Sequence, residues 1–314
     1  MPAKVMMSSV VIAEEKTERI KAAISQLEYH DLIFNRWGFS EVFEKGTAVS
    51  LMFYGIPGTG KTLMAQAIAD YLAKELKIIG TAEIESSEPG GAERAIKKVF
   101  QEATSSRGQV LLFDECDSLL VDRNSVGVII AAQINTLLSE LERFTGVVIF
   151  TTNRLGKLDP ALERRIAAKI EFEFPDKTQR VAIWRRMIPK QAPLAKDVDF
   201  EVLASYPLAG GNIKNAVLNA ARMAAYRQKR ELDLASFTEA IEKEVEGLNE
   251  FMSAYEDSAN ASRVRRYDSS QDFKREPGGV GMPTQDIGAS RGIDKVSGMK
   301  KLRKATEVKE AVND

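Results

Sequence analysis

The sequence GIPGTGKT at residues 55–62 restricts the possible folds of this chain more than any other feature. It overlaps the end of VSLMFYG, an apolar run with the β-branched and aromatic residues of a buried strand, and it runs into a segment with helical periodicity. A glycine-rich turn between a strand and a helix lets backbone N–H groups surround a phosphate at the positive end of the helix. The motif therefore predicts a phosphate-binding loop, and its strand and helix context argues against an unliganded glycine-rich turn.

The residue types in this loop suit different parts of a bound nucleotide. Lys61 would reach the β- and γ-phosphates as a point charge, and the Thr62 hydroxyl would ligate Mg²⁺. The predicted phosphate cradle consists of Gly58, Thr59, Gly60 and Thr62. The other predicted nucleotide-binding residues of this segment are Gly55, Pro57, Lys61 and Leu63.

A second motif, VLLFDECD at residues 110–117, is an apolar run that ends in acidic residues. A strand that finishes at Asp114 places its carboxylate at the carboxyl edge of a parallel sheet, where nucleotides bind in such folds. There Asp114 can hold Mg²⁺ through a water molecule, and Glu115 can polarise an attacking water as a general base. The alternative is a pair of solvated acids in a turn, which the phosphate loop upstream argues against.

Strand-like and helix-like segments alternate along the middle of the chain. Strands are predicted at 49–55, 77–85, 109–115, 146–153 and 169–174, and helices at 61–76, 91–103 and 128–144. Strands separated by helices predict a parallel α/β sheet with helices on both faces.

The composition divides the chain into four regions. Residues 49–175 hold the α/β pattern and form the predicted nucleotide-binding domain. Residues 176–249 have only helical patterns, which predicts a small all-helical domain. Residues 250–314 are rich in Gly, Ser, Asp and Lys, and we predict a mostly disordered polar tail there.

The first region, residues 1–48, is predicted to be a helical segment. Apolar residues recur with helical spacing over 13–29. An aromatic-rich stretch follows, and we expect its Trp37 and Phe39 to pack against the nucleotide-binding domain, the alternative being a surface that docks a partner.

The near-zero net charge and the small numbers of cysteine and histidine exclude several kinds of function. The chain has 44 basic and 45 acidic residues, a net charge of −1, unlike the strongly basic domains that bind nucleic acid electrostatically. One cysteine, Cys116, and one histidine, His30, are too few for a zinc site or a Cys/His nucleophile pair. Neither a membrane-spanning run nor a secretory signal is apparent. We therefore expect a cytoplasmic protein without membrane or nucleic-acid partners.

The ordered motifs resemble those of the AAA+ ATPases, and more closely the AAA branch, in the manner of a single-domain prokaryotic- or phage-type member. The resemblance covers roughly residues 10–249 and implies the P-loop NTPase fold with a helical lid, and ATP and Mg²⁺ as cofactors. The segment GVVIFTTNR resembles the family's fourth strand, which implies that Asn153 orients the attacking water. LDPALERRI resembles the segment with paired arginines in katanin- and spastin-like members, which implies that Arg164 and Arg165 act on the ATP of a neighbouring subunit.

Two features leave alternatives open within this resemblance. After Arg165 the sequence IAAK replaces the Gly-Arg ending of other AAA members, so either Arg165 carries the second arginine role or no residue does. LAGGNIKNAVLNAA resembles the start of the sensor-2 helix, where Lys214 either contacts the nucleotide or is an exposed lysine.

A third feature bears on how a substrate would be handled. After the second strand, Glu88, Pro89 and Gly90 stand where family members that thread polypeptide carry an aromatic residue. An aromatic side chain grips a chain by burying apolar area, which a glutamate cannot do. This difference argues against threading.

The resemblance implies a Mg²⁺-dependent ATPase that assembles into a ring, expected to be a hexamer, and remodels or disassembles a protein partner of unknown identity. The expected catalytic residues are Lys61, Glu115, Asn153, Arg164 and Arg165. The alternative is a nucleotide-controlled scaffold or switch whose ATP state governs assembly with a partner. A DNA-linked motor ranks third, because no basic stripe is evident.

Overall fold

Five parallel strands form one sheet in a computed structural model of the chain, which describes residues 4–42, 48–84, 88, 90–105, 109–153 and 158–246. In chain order the strands are β1 Val49–Gly55, β2 Glu75–Ile79, β3 Gln109–Phe113, β4 Val147–Thr152 and β5 Ile166–Phe172. Their order across the sheet is β2-β3-β4-β1-β5. The predicted parallel α/β sheet is confirmed.

Helices cover both faces of this sheet, as predicted. In chain order they are α1 Glu14–Glu28, α2 Lys61–Tyr71, α3 Thr81–Ile84, α4 Gly91–Ser105, α5 Asp117–Leu120, α6 Val128–Arg143 and α7 Pro160–Glu163. Because successive strand residues point to opposite faces, Leu51 and Phe53 of β1 pack with α1 and α2, whereas Met52 packs with α4 and α6. Each face of the sheet therefore has its own apolar core.

The position of β4 between β1 and β3 assembles the candidate site. In the parallel register, Tyr54 of β1 pairs with Thr152 of β4, and Phe113 of β3 pairs with Phe150 of β4. The loops that follow these three strands therefore leave the same edge of the sheet side by side. The phosphate loop, the acidic motif and Asn153 are brought together in this way.

Helices follow β5. They are α8 Lys177–Met187, α9 Phe200–Leu203, α10 Gly210–Tyr226 and α11 over 234–246. The fully buried ring of Trp184 on α8 meets the ring of Phe237 on α11 edge to face, with centroids 5.9 Å apart. This aromatic pair gives the helical region an apolar centre of its own.

Two predicted elements differ most from their boundaries in the structure, and the strand predicted over 169–174 also lies earlier, at Ile166–Phe172. The helix predicted over 61–76 ends at Tyr71, because Ala73 adopts a left-handed φ of +53° and the chain enters β2 two residues later. The strand predicted over 77–85 ends at Ile79, and a short helix follows it. This helical turn buries Ile84 in the core beside α4.

The expectation that Trp37 and Phe39 pack against the nucleotide-binding domain is wrong. Their side chains are 64% and 44% exposed, beyond the π-helical turn Asp31–Arg36. The predicted tail, residues 250–314, lies outside the described residues. Within the ranges given above, none of the helices combines the length and apolar character needed to cross a membrane.

Candidate functional site

The loop between β1 and α2 has the backbone conformation of a phosphate cradle. Gly58 and Gly60 have φ values of +76° and +105°, which side-chain-bearing residues rarely adopt. The Thr59 hydroxyl closes the turn by donating to the carbonyl of Ile56 at 2.8 Å. Helix α2 then begins at Lys61 without an acidic side chain in its first turn, so its N-terminal dipole is free to attract an anion.

The Lys61 ammonium lies between this loop and the end of β4, and only 7% of the residue is exposed. Its Nζ donates to the carbonyl oxygens of Gly55 at 2.8 Å and Ile56 at 3.1 Å, and to Oδ1 of Asn153 at 2.9 Å. Burial lowers the pKa of Lys61, while nearby carboxylates, Asp114 foremost, act in the opposite direction. Three oxygen acceptors therefore hold the cation beside the position expected for the phosphates.

Asp114 and Thr62 meet at the edge of the sheet. The Thr62 hydroxyl oxygen lies 3.3 and 3.2 Å from the two carboxylate oxygens, and Asp114 also accepts a 2.5 Å hydrogen bond from the Thr151 hydroxyl. Mg²⁺ prefers such hard oxygen donors and is usually held by one or two of them together with water and phosphate oxygens. The oxygens of Thr62 and Asp114 could therefore ligate Mg²⁺ together with phosphate oxygens. The described part of the chain has no cluster of three His, Cys, Asp or Glu residues for a metal.

Glu115 follows in a strained turn. Its φ is +52°, a conformation that costs a non-glycine residue on the order of 1–3 kcal/mol and that is found preferentially at functional sites. Its backbone N–H donates to the Thr151 hydroxyl at 2.8 Å, and its carboxylate accepts a 3.1 Å hydrogen bond from Nδ2 of Asn153. Asn153 therefore bridges Lys61 and Glu115.

A cavity of about 500 Å³ opens beside these side chains. The predicted site residues that line it are Pro57, Gly58, Thr59, Gly60, Lys61, Thr62, Leu63, Asp114, Glu115, Asn153 and Lys214. Gly55 takes part through its carbonyl, which accepts from Lys61. Arg164 and Arg165 do not belong to the lining of this cavity.

Residues from three further segments line the cavity, and the sequence did not predict them as site residues. They come from the N-terminal segment, α8 and the start of α10, and they are Ser9, Val10, Val11, Ile183, Arg186, Met187, Gly210 and Gly211. Val10 and Val11 belong to no sequence motif, and tertiary packing alone places Val10 beside Gly60. In the sequence, the glycine pair Gly210 and Gly211 before the predicted helix was the local feature that could have indicated part of this lining.

Helix α10 contacts the phosphate loop through its backbone. The N–H of Gly211 donates to the carbonyl of Gly58 at 2.8 Å. A Cβ at position 211 would lie 3.1 Å from Gly58 Cα, and one at position 210 would lie 3.2 Å from the Gly58 oxygen. The two glycines of α10 therefore permit a close approach between the helical region and the loop.

The two predicted arginines have different surroundings. Arg165 forms an ion pair with Glu142 of α6 and donates to the carbonyl of Ala161 at 2.7 Å. Arg164, which follows α7, is exposed, and its guanidinium makes no hydrogen bond or ion pair with the residues that the structure describes. Of the two guanidinium groups, Arg164 is the one available to a second molecule.

Comparison with known families identifies the segment that carries this site. Residues 51–174 match the family described as "ATPase family associated with various cellular activities (AAA)". The matched range contains β1 to β5, with the phosphate loop, the acidic motif, Asn153 and both arginines.

Curated relatives align over a longer range. Protein SAV of Sulfolobus acidocaldarius is 31% identical over 265 residues, which cover 80% of this chain and 33% of that protein. The cell division cycle protein 48 homolog of Archaeoglobus fulgidus is 31% identical over 258 residues, 72% of this chain and 34% of that protein. The 26S proteasome regulatory subunit 7 homolog B of Arabidopsis thaliana is 30% identical over 251 residues, 76% and 52% of the two chains. The chain thus spans about a third to a half of the length of these relatives.

Proposed function

We propose that this protein, whose residues 51–174 match the AAA ATPase family, is a cytoplasmic enzyme that hydrolyses ATP with Mg²⁺ and, as a ring-shaped oligomer, remodels or disassembles a protein partner. The observation that carries the proposal is the chain of hydrogen bonds from Lys61 through Asn153 to Glu115 beside the phosphate loop. In this chain of bonds Lys61, proposed to bind phosphate, and Glu115, the candidate general base, each lie within hydrogen-bond distance of the polar side chain of Asn153.

The cavity accommodates the two ends of ATP differently. The phosphates are proposed to lie on the loop and the N-terminus of α2, where Lys61 exchanges its carbonyl acceptors for phosphate oxygens. Thr62 and Asp114 would hold Mg²⁺, which neutralises phosphate charge when bound. The adenine base is proposed to lie against apolar side chains of the lining, such as Val10 and Met187.

Glu115 is the proposed general base. Its carboxylate accepts a proton from the attacking water, whose oxygen forms a bond to the γ-phosphorus as the bond from that phosphorus to the ADP oxygen breaks. The side chain of Asn153 fixes the carboxylate and offers a polar group to the water. Lys61 stabilises the negative charge on the phosphoryl oxygens.

Arg164 is proposed to act on the ATP of a neighbouring copy of the chain. It is exposed, and it lies outside the lining of the cavity in its own chain. A planar guanidinium can spread its charge over the equatorial oxygens of the transition state. Arg165 is instead assigned to fixing α7, because its charge already pairs with Glu142. A ring, with six copies as the proposed number, would then be the active form.

A protein is the proposed substrate because the relatives include a cell division cycle protein and a proteasome regulatory subunit. In the loop before α4, the exposed carboxylate of Glu88 lies 3.3 Å from Arg94, and Pro89 lies outside the described residues. Contacts of exposed charges are weak and screened by salt. We therefore propose local loosening of a partner rather than threading of an unfolded chain.

The nucleotide chemistry is tested by ATP binding and steady-state hydrolysis. Lys61→Ala is expected to lose binding, whereas Glu115→Gln keeps binding and loses roughly 10²- to 10⁴-fold in turnover. Lys98→Ala and Glu173→Gln alter exposed side chains of the same types and serve as controls. Unchanged hydrolysis by Glu115→Gln would remove that residue from the mechanism.

The remodelling activity is tested by capture of the partner. Glu115→Gln loaded with ATP should retain the partner on a column, and the unaltered protein should release it as ATP is consumed. Turnover that rises with partner concentration supports an energy-consuming remodeller. Partner binding that follows the nucleotide state without a change in turnover would favour the scaffold or switch instead.

A further inference from the structure

The carboxylate of Asp159 is fully buried at the start of α7, the short helix that precedes Arg164. Its Oδ1 accepts hydrogen bonds from the backbone N–H groups of Ala161 at 2.8 Å and Leu162 at 3.4 Å, which caps the helix. Its Oδ2 accepts from the backbone N–H of Arg123 at 3.3 Å and forms an ion pair with Nε of the same residue at 3.1 Å. One carboxylate therefore joins α7 to a segment far away in the sequence.

The partner residue, Arg123, lies in the segment that continues from the acidic motif. This segment runs from Glu115 through α5, and its end is bonded to the start of α7 by a backbone hydrogen bond from Asp159 N to Leu120 O of 3.1 Å. Val121 and Leu158 add an antiparallel bridge. The orientation of α7 is therefore set by the chain segment that also carries the general base.

Arg123 has a second contact, which fixes the pair to the body of the domain. Its guanidinium donates to the side-chain oxygen of Asn135 on α6 at 2.5 Å. A guanidinium has donors in a rigid planar arrangement, so these two acceptors determine its direction. The side chains of Arg123 and Asp159 thereby connect α6 and α7 at the exposed edge where Arg164 emerges.

From this geometry we propose that the ion pair of Arg123 with Asp159 positions Arg164 for its action on the ATP of the neighbouring subunit. The proposal rests on the proposed action of Arg164 in trans. Neither residue lines the nucleotide cavity, so they act by holding α7 and are positioning residues. Through α7 and Arg164, the same bonds would connect the segment around Glu115 in one subunit to the ATP site of the neighbouring subunit.

The test uses Asp159→Asn, whose amide oxygen can still cap α7 while the charge on Asp159 is lost. A displacement of about 1 Å in a reacting group can cost on the order of 10²-fold in rate, so we expect kcat to fall by that order while the affinity for ATP is unchanged. Arg123→Gln should have the same effect from the other side of the pair. Arg227→Gln, which breaks an ion pair with Glu239 in the helical region, is the matched control and should leave kcat as it was.

Mixed rings separate positioning from other causes. Lys61→Ala subunits have an intact Arg164 and an intact ion pair, so they should restore turnover at the ATP sites of Asp159→Asn subunits. Arg164→Ala subunits should not restore it. The reverse pattern would place the defect in the subunit's own nucleotide site and overturn the proposal. Loss of cooperative unfolding by both Asp159→Asn and Arg123→Gln would make the pair merely structural, and would also overturn it.

A further mixture distinguishes this proposal from the one on which it rests. Arg164→Ala and Lys61→Ala subunits are each expected to be inactive and to regain turnover when they are assembled together. If this mixture is inactive despite verified co-assembly, the action of Arg164 in trans fails, and the positioning role fails with it. If this mixture is active and the mixture of Asp159→Asn with Lys61→Ala is inactive, the positioning role alone is wrong.

Discussion

The ammonium of Lys61 donates a 2.9 Å hydrogen bond to the side-chain oxygen of Asn153, so the first residue of α2 contacts the residue that follows β4. The amide nitrogen of Asn153 donates to the Glu115 carboxylate at 3.1 Å. Both ends of the amide are thus used in the orientation that suits them, with its oxygen towards a donor and its nitrogen towards an acceptor. One side chain therefore bridges the ammonium of Lys61 and the carboxylate of Glu115.

Replacing Asn153 by alanine should lower turnover more than nucleotide binding. Glu115 would lose the donor that orients it, while Lys61 would keep two carbonyl acceptors until phosphate replaces them. Loss of one preorganised polar group in an active site typically costs about 10²- to 10³-fold in kcat. Steady-state hydrolysis and the Kd for ATP measure the two effects. Asn35→Ala, at an exposed position, is the control, and an unchanged kcat in Asn153→Ala would contradict the assignment.

Gly211→Ala should weaken nucleotide binding without unfolding the protein. The new methyl group would lie 3.1 Å from Gly58 Cα, closer than ordinary contact, so α10 and the phosphate loop must separate slightly. Alanine itself favours a helix over glycine by roughly 1 kcal/mol, so the melting temperature should hold or rise. We expect an increase in the Kd for ATP that Gly80→Ala, with open space around its Cβ, does not show. Equal affinities in the two variants would mean that this contact is not part of the ATP-bound state.

Gly55→Ala should destabilise the fold itself. A Cβ at this position would lie 2.2 Å from the backbone oxygen of Phe172, and the φ of +134° is unsuitable for a side chain. The carbonyl that it would push against belongs to β5, which cannot move without breaking its pairing with β1. Strain and displacement together should cost at least about 3 kcal/mol. Urea denaturation measures this loss of stability. Gly127→Ala is the control, because a Cβ at that position meets no other atom within 4 Å. Equal urea midpoints for the two variants would contradict the prediction.

The sequence predicted the elements of this fold because local patterns encode them. The apolar runs of β1, β3 and β4 and the helical periodicity of α4 and α6 are visible without any knowledge of contacts. The insertion of β4 between β1 and β3 is not visible in this way, since strand order depends on how distant segments pack. The phosphate loop and acidic motif could be named individually, but the bridge that Asn153 makes between them required that order.

Where the sequence analysis missed part of the site, the missing information was tertiary. Val10 and Val11 look like ordinary apolar residues near the start of the chain, and they line the cavity because the N-terminal segment packs beside α2. Trp37 shows the opposite error, since a large aromatic residue was expected to be buried and is exposed. Residue type gives the tendency to be buried, but the surface available to cover each residue is decided by the whole fold.

The thiol of Cys116 should be nearly inert in the folded protein. Only 3% of this residue is exposed, and its Sγ lies 3.6 Å from the carbonyl oxygen of Thr151. Burial is the main cause that raises the pKa of this thiol well above its ordinary value, and the charge of Asp117 adds to it. The reactive species is the thiolate, so alkylation requires opening of the segment that follows β3.

We therefore expect iodoacetamide at pH 8 to modify the native protein on the order of 10³-fold more slowly than the urea-unfolded chain, since opening costs several kcal/mol. Cys116 is the single cysteine, so intact mass reports its modification directly. ATP with Mg²⁺ should slow the reaction further in Glu115→Gln, which binds without turnover, because the ligand engages the adjacent Asp114 and so disfavours opening. The control is Lys61→Ala, in which added ATP should leave the rate unchanged. Equal rates in native and unfolded protein would show that the turn carrying Glu115 is open in solution, in conflict with the hydrogen bonds that hold it here.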